Sequence, residues 1–309
     1  MMTLACIAWL ELSGLSVQSQ ERDFADLTDC DTTGGFSSRL ARDLARERGT
    51  IGSLFQWSGA ISESRAQRLA SDEDLVTDRP DFTEASSVVG LGVLQIESGY
   101  TYTHDTAGTV RTQEHSYPEM LFRYGIFANW LEFRLATNFA NNSVSSVRSA
   151  GAEDLYLGFK IGLTEQVGLR PEMSLVPQMT VPTGRSGLTG DELLAGLNWL
   201  YGWEINDIFS TTASTQFNKS HDEVTSNTYT EWAQSWTIGY SLTDRLGGYI
   251  EYFGLYPSGA DTARVQHYFD GGLTFRFTNN VQFDIRAGKG VNDAANDYFV
   301  GTGLSIRIP

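Results

Sequence analysis

From residue 91 onward, apolar and polar side chains alternate with a period of two. Leu94, Ile96, Tyr100 and Tyr102 share one parity, and Gln95, Glu97, Thr101 and Thr103 share the other. Residues 153–163 repeat the pattern, with Leu155, Leu157, Phe159, Ile161 and Leu163 set against Asp154, Tyr156, Gly158, Lys160 and Gly162. Successive side chains of an extended strand point to opposite faces, so each stretch predicts a strand with one apolar and one polar face. Twelve stretches obey the rule: about 92–104, 115–127, 130–140, 152–163, 168–181, 193–206, 208–218, 228–242, 246–256, 263–277, 281–289 and 297–308. The alternation is weakest in 208–218.

The connections between these stretches alternate in length. Short links such as Ala128-Asn129, Asn206-Asp207 and Thr243 to Arg245 follow the even-numbered strands. Longer polar ones, such as Asp105 to Glu114, Asn141 to Gly151 and Pro182 to Glu192, follow most odd-numbered strands. Short turns alternating with long loops on an even strand count are the wiring of a bacterial outer-membrane barrel. Both chain ends of the barrel then lie on the short-turn, periplasmic side. A soluble sandwich also alternates, with its apolar faces turned inward. The loop asymmetry favours the opposite arrangement: a single twelve-stranded antiparallel transmembrane barrel over 91–309, polar inside and apolar against lipid.

On that reading the inward faces carry acids and bases together. The acidic members are Glu97, Glu119, Glu132, Asp154, Glu172, Glu204, Glu231, Glu251, Asp270 and Asp284. The basic members are Arg123, Arg134, Lys160, Arg170, Arg276 and Arg286. An open lumen with this acidic excess favours cations and neutral polar solutes over anions. Trp199, Tyr201, Trp203, Trp232, Trp236 and Tyr240 are expected toward lipid and its interfaces.

Composition narrows the alternatives. The chain has 309 residues, a formal charge of −16, 41% hydrophobic and 12% aromatic positions. The acidic balance excludes nucleic acid as a partner, since phosphates call for clustered Lys and Arg. No apolar run reaches the roughly 18 residues of a membrane helix. Cys6 and Cys30 are the only cysteines, so thiolate metal clusters lack their ligands. The acidic pairs Asp191-Glu192, Asp222-Glu223 and Asp293 with Asp297 read as solvated loop charge rather than as a built metal site. His267 shares the apolar parity of Val265 and Phe269 with no serine at 265 or 269, which argues against a barrel-borne hydrolase. No catalytic residue, cofactor or metal is expected.

The first 90 residues differ in texture. Residues 4–17 are short and mostly apolar, and Val17-Gln18-Ser19 supplies small residues at the cleavage positions, so 1–19 is expected to be a signal peptide. Met1-Met2-Thr3 lacks the usual basic residues. Residues 20–90 read as a periplasmic lead-in, with a short helix over Arg39–Arg48. Within it lies 77–84, whose Asp78, Arg79 and Asp81 surround Pro80. Proline keeps Arg79 out of helix. This segment is the candidate plug of the barrel mouth, with Arg79 expected to meet lumen carboxylates such as Glu97 or Glu204.

The stretch 77–104, TDRPDFTEASSVVGLGVLQIESGYTYTH, together with Arg170-Pro171-Glu172, Val181-Pro182-Thr183-Gly184 and Leu242-Thr243-Asp244-Arg245, resembles an outer-membrane family labelled as transporters of a phenol-degradation meta-cleavage pathway. The resemblance spans 77–309, and Asp78-Arg79-Pro80-Asp81-Phe82 is its most specific part. It implies a passive channel for small solutes, aromatic or apolar compounds among them, with membrane lipid and the barrel-insertion machinery as partners. The chain departs from the usual aromatic carboxy terminus of such barrels by ending Ile306-Arg307-Ile308-Pro309. The competing class is a barrel that transports nothing and serves a structural or ligand-binding role.

Overall fold

The structure is a computed structural model, and it describes residues 74–309 apart from 146, 223 and 226. The expected signal peptide, the helix over Arg39–Arg48 and the first part of the lead-in lie outside the described residues. Among the described residues there is no helix; every regular element is a strand.

The wall begins with β1 (Leu94–Ala107). The second crossing is made by β2 (Val110–Ser116) and β3 (Met120–Gly125), interrupted at Tyr117-Pro118-Glu119. The third is β4 (Leu131–Thr137) with β5 (Phe139–Val144), and the fourth is β6 (Val147–Ala152) with β7 (Leu155–Thr164). Unbroken strands complete the set: β8 (Glu172–Val181), β9 (Leu194–Glu204), β10 (Phe209–His221) and β11 (Thr228–Ser241). After them come β12 (Leu246–Ser258), β13 (Gln266–Thr278), β14 (Val281–Gly290) and β15 (Tyr298–Ile308). Every pairing is antiparallel and joins one crossing to the next, and β15 returns to β1 from Leu94↔Ile308 to His104↔Tyr298. The result is a closed barrel of twelve crossings. Within the closed ring, from β15 through β7, β4 and β3 to β1, no backbone edge is left unpaired, which is what hydrocarbon demands of a sheet; β6, beyond the ring, pairs with β5 alone.

Side-chain placement gives the barrel its polarity. Trp199, Trp232, Trp236, Ile250, Phe269 and Ile285 stand 44–62% exposed on the outside. Their neighbours of opposite parity, such as Asn198, Ser235, Glu251, Asp270 and Asp284, are buried inside. An apolar exterior around a polar interior is the reverse of a soluble barrel, and it makes this wall a transmembrane one.

Two of the expected long loops turn out to be strand. Asp105 to Glu114 forms the tip of a β1–β2 hairpin whose turn is Gly108-Thr109, with Thr106 opposite Arg111. Gly108 takes φ +64 at this turn, a conformation that costs glycine nothing. Asn141 to Gly151 is likewise mostly β5 and β6, paired from Phe139↔Ala152 to Val144↔Val147. Their sequences read as loop because a wall standing in water on both sides has no apolar face to alternate. Pro182 to Leu193 does remain outside the strands. The stretch 208–218, weakest in the sequence, is part of the thirteen-residue β10.

The interruptions in the second, third and fourth crossings fall side by side. Met120 faces Thr137, yet four residues earlier Ser116 faces Ala140, three residues further on. Ala136 faces Tyr156 while Phe139 faces Ala152. Each is a one-residue bulge, which bends a strand and re-aims its side chains. Asn138 bridges the fault, donating to Ser116 Oγ at 2.7 Å and also bonding Glu153.

Candidate functional site: the occupied bore

Residues 74–89 run inside the ring of inward side chains, and 90–93 join the wall at the rim, where Gly92 and Val93 pair with Gly125. The segment starts at the short-turn rim, where Asp74 pairs with Arg276 and its carbonyl accepts from Arg307 at 3.4 Å. It reaches its furthest point near Phe82 and returns to hand the chain to β1. On the way back Ser86 donates to Glu172 at 2.6 Å, and Val89 N–H donates to Glu132 at 3.0 Å.

Asp78 is the most heavily contacted residue of the segment. Lys160 Nζ lies 2.9 Å from Oδ1 and 3.1 Å from Oδ2, Arg123 Nη1 lies 3.3 Å from Oδ1, and Arg134 Nη1 bonds Oδ2. All three cations are at most 1% exposed. Beneath them Glu132 accepts from Arg123 at 2.7 and 2.9 Å and from Arg134 at 3.1 Å. Buried ions persist only where such partners offset the lost hydration.

Arg79 points the other way, with Nη1 2.6 Å from Glu119 and Nε 3.7 Å from Asp284. The sequence expectation of Glu97 or Glu204 is corrected here. Glu97 instead accepts the backbone N–H groups of Asp78 and Arg79 at 3.0–3.1 Å. Glu204 is exposed at the rim, where its N–H and carbonyl engage Gln166. Gly99 and Gly303 make room for Arg79, since a methyl group at either would overlap its guanidinium.

At the far end of the segment Phe82 stacks on Phe253, ring centroids 4.4 Å apart and 7° from parallel. Phe253 continues onto Tyr268 at 4.7 Å and toward Phe299 at 6.4 Å. Glu251 holds the same turn by accepting from Phe82 N–H at 2.6 Å, Thr83 N–H at 2.7 Å and the Thr83 and Thr237 hydroxyls.

Most residues named from the sequence face inward. Glu97, Arg123, Glu132, Arg134, Lys160, Glu251 and Asp284 are fully buried beside the segment, and Glu172 touches it through Ser86. Glu119 and Arg286 border a cavity of about 380 Å³, which the segment's own Asp78, Arg79, Asp81 and Glu84 also line. Asp154 lies on that cavity too, but it does not pair with Lys160; its carboxylate holds Gly184 and Gly190 N–H, each at 2.9 Å. Glu231 accepts from Tyr229 at 3.3 Å higher on β11, and Asp270 is buried with neither carboxylate oxygen hydrogen-bonded. Arg276 sits at the rim with Asp74. Arg170 is the clear exception: it lies on an exposed turn, bridged to Val167, before β8 begins.

Sequence reasoning missed the neutral half of the lining. Gln95, Thr83, Ser174, Ser214 and Ser235 are buried here, and small hydroxyls give no sign of facing a bore rather than a core. It also ended the candidate plug at residue 84, whereas the inward run continues to Val89.

Fold and lining together define a transmembrane β-barrel whose bore is filled by the chain's own preceding segment. A family model described as "Putative MetA-pathway of phenol degradation" matches residues 77–308, and the chain belongs to that family. The match begins within the inward segment. Among solved structures, the translocator domain of the autotransporter NalP from Neisseria meningitidis is 11% identical, covering 71% of this chain and 89% of that one at a TM-score of 0.48. The NanC porin is 8% identical, covering 70% and 100% at 0.43. The CymD monoaromatic hydrocarbon channel is 9% identical, covering 70% and 88% at 0.39. No curated protein matches the chain.

Proposed function

We propose that this protein is an outer-membrane channel for passive passage of small solutes, closed in the present state by residues 74–89. One observation carries the reading: a buried wall cation, Lys160, is matched by the segment rather than by the wall itself. Lys160 Nζ donates its hydrogen bonds to the Asp78 carboxylate and the Ala85 carbonyl, both in the segment. A filler that never moved could leave an apolar contact there, which costs less than burying an ion. Passage of aromatic or apolar compounds rests on the family description.

Single-channel recording in a planar bilayer tests the proposal. Arg79→Ala and Glu251→Gln, which remove holds on the segment, are expected to raise the open fraction above that of the unaltered protein. A bilayer that stays silent for all three proteins favours the non-transporting reading. That second reading draws on the complete burial of Ser174, Leu200, Ser214 and Ser235 on the β8–β11 side of the bore. Fractionation into inner and outer membranes checks the location.

A further inference from the structure

The arrangement around Asp78 has the form of a receptor occupied by its own chain. Each carboxylate oxygen has two cationic neighbours: Lys160 and Arg123 on Oδ1, Lys160 and Arg134 on Oδ2. The Ala85 N–H adds a neutral donor to Oδ1 at 3.0 Å. This fork suits two oxygens on one carbon, the geometry in which paired charge-assisted bonds are strongest.

The charges of the wall beneath make the point stronger. Arg123 pairs with Glu97 and Glu132 there, Arg134 pairs with Glu132, and Lys160 stands opposite Glu132 in the β4–β7 register. With the segment docked, Asp78 supplies the missing negative charge, and Glu84 adds a contact to Arg134 at 2.9 Å. With the segment withdrawn, β1, β3, β4 and β7 would hold these three cations against the two anions Glu97 and Glu132. The opposite wall, with Glu251, Asp270 and Asp284 against Arg286, leans the other way. A vacated bore therefore has a basic side sized for one carboxylate and an acidic side that repels a second.

We propose that Arg123, Arg134 and Lys160 form a binding station for the carboxylate of a small organic monoacid, held by Asp78 while the segment is docked. This rests on the channel reading above, and it names a solute class for that channel. The station borders the 380 Å³ cavity through Asp78 itself, so a solute entering the cavity meets the bond it must displace. Acidic wall charge alone would favour cations; three convergent bases override it locally.

Two measurements on the full chain test the station. In Asp78→Ala the carboxylate is gone and the cations remain. Sodium acetate at millimolar concentration is expected to restore the lost thermal stability of the detergent-solubilised barrel, whereas sodium chloride at equal ionic strength is not. Adding Lys160→Met should abolish the acetate response. Equal restoration by chloride, or none by acetate, overturns the station. The second measurement uses vesicles carrying the unaltered protein or Lys160→Met. The ratio of acetate flux to that of a neutral solute of similar size should fall by about tenfold in the variant, the equivalent of one lost ion contact. An unchanged ratio overturns the station even if Asp78→Ala does not fold. If the unaltered protein passes neither solute, the same ratio is read in the Arg79→Ala background with and without Lys160→Met, where an unchanged ratio again overturns the station; if that background is silent too, the channel reading fails and the acetate arm alone decides the station.

Discussion

At the scale of single residues, the segment is held by contacts that can be removed one at a time. Gly99 and Gly303 matter because the Arg79 guanidinium fills the space where their side chains would be. Gly99→Ala should therefore act like Arg79→Ala although it deletes no charge. A cysteine introduced at Thr83, a position 1% exposed in the docked state, reports on both, with Cys6 and Cys30 replaced. It should react with a water-soluble thiol reagent in either variant and resist it otherwise; protection in both variants would mean Arg79 does not hold the segment. Breaking a buried ion pair by removing one partner costs about 3–5 kcal/mol. Asp78→Asn should lose less in overall barrel unfolding, because undocking would let the orphaned bases reach water. That difference is visible as early reactivity at position 83 before the barrel melts.

Asp222 is a second clasp, outside the membrane-spanning strands. Its carboxylate accepts from Thr262 N–H and hydroxyl, both at 2.7 Å, and from the N–H groups of Ala263, Thr225 and Val224 at 3.2 Å. These bonds, those from Thr262 foremost, hold its carboxyl well below the usual range. A depressed folded value means the clasp contributes above the ordinary carboxylate pKa and is lost as pH falls through the lower, folded one. The loops it joins should thus stay protease-resistant at mildly acidic pH, while Asp222→Ala exposes them at neutral pH. Equal cleavage of both proteins at neutral pH would contradict this.

At the scale of elements, the strands were readable where they meet lipid and illegible where they leave it. Leu155 to Leu163 alternates because one side of β7 touches hydrocarbon and the other a polar bore. Thr112, Gln113, Glu114 and His115 in β2 do not, because water contacts both sides of the wall there. The division predicts unequal costs for one substitution. Ile250→Arg, on the outer face of β12 and 57% exposed, should destabilise the barrel in vesicles by about 2–4 kcal/mol. Val110→Arg, near the β1–β2 tip and 42% exposed, should cost less than about 1 kcal/mol, as at an interface. Comparable urea midpoints for the two variants would place the tip in the bilayer instead. The bulges near Glu119 and Asp154, with the break at Asn138 between them, mark the boundary between these regimes on three neighbouring crossings.

On the scale of the whole molecule, alternation and loop wiring predicted a closed barrel, and the inward parity of Glu97, Lys160 and Asp284 followed from it. What they did not yield was the partner of each charge. Asp78 lies 82 residues from Lys160 and Arg79 lies 205 residues from Asp284 along the chain, and no local pattern encodes which lumen residue a non-repeating segment will meet. Arg170 was misplaced for a simpler reason: a turn of Val167 to Arg170 keeps the parity of the strand that follows. Because Val93 runs directly into β1, the stopper stays on a leash. From Leu94 to Asp78 the chain can extend to about 50 Å at full stretch, well beyond a hydrocarbon core of about 30 Å. Released from its bonds it could leave the conduit entirely and still return from an effective concentration in the millimolar range, so reclosure would need no partner and would be independent of protein dilution.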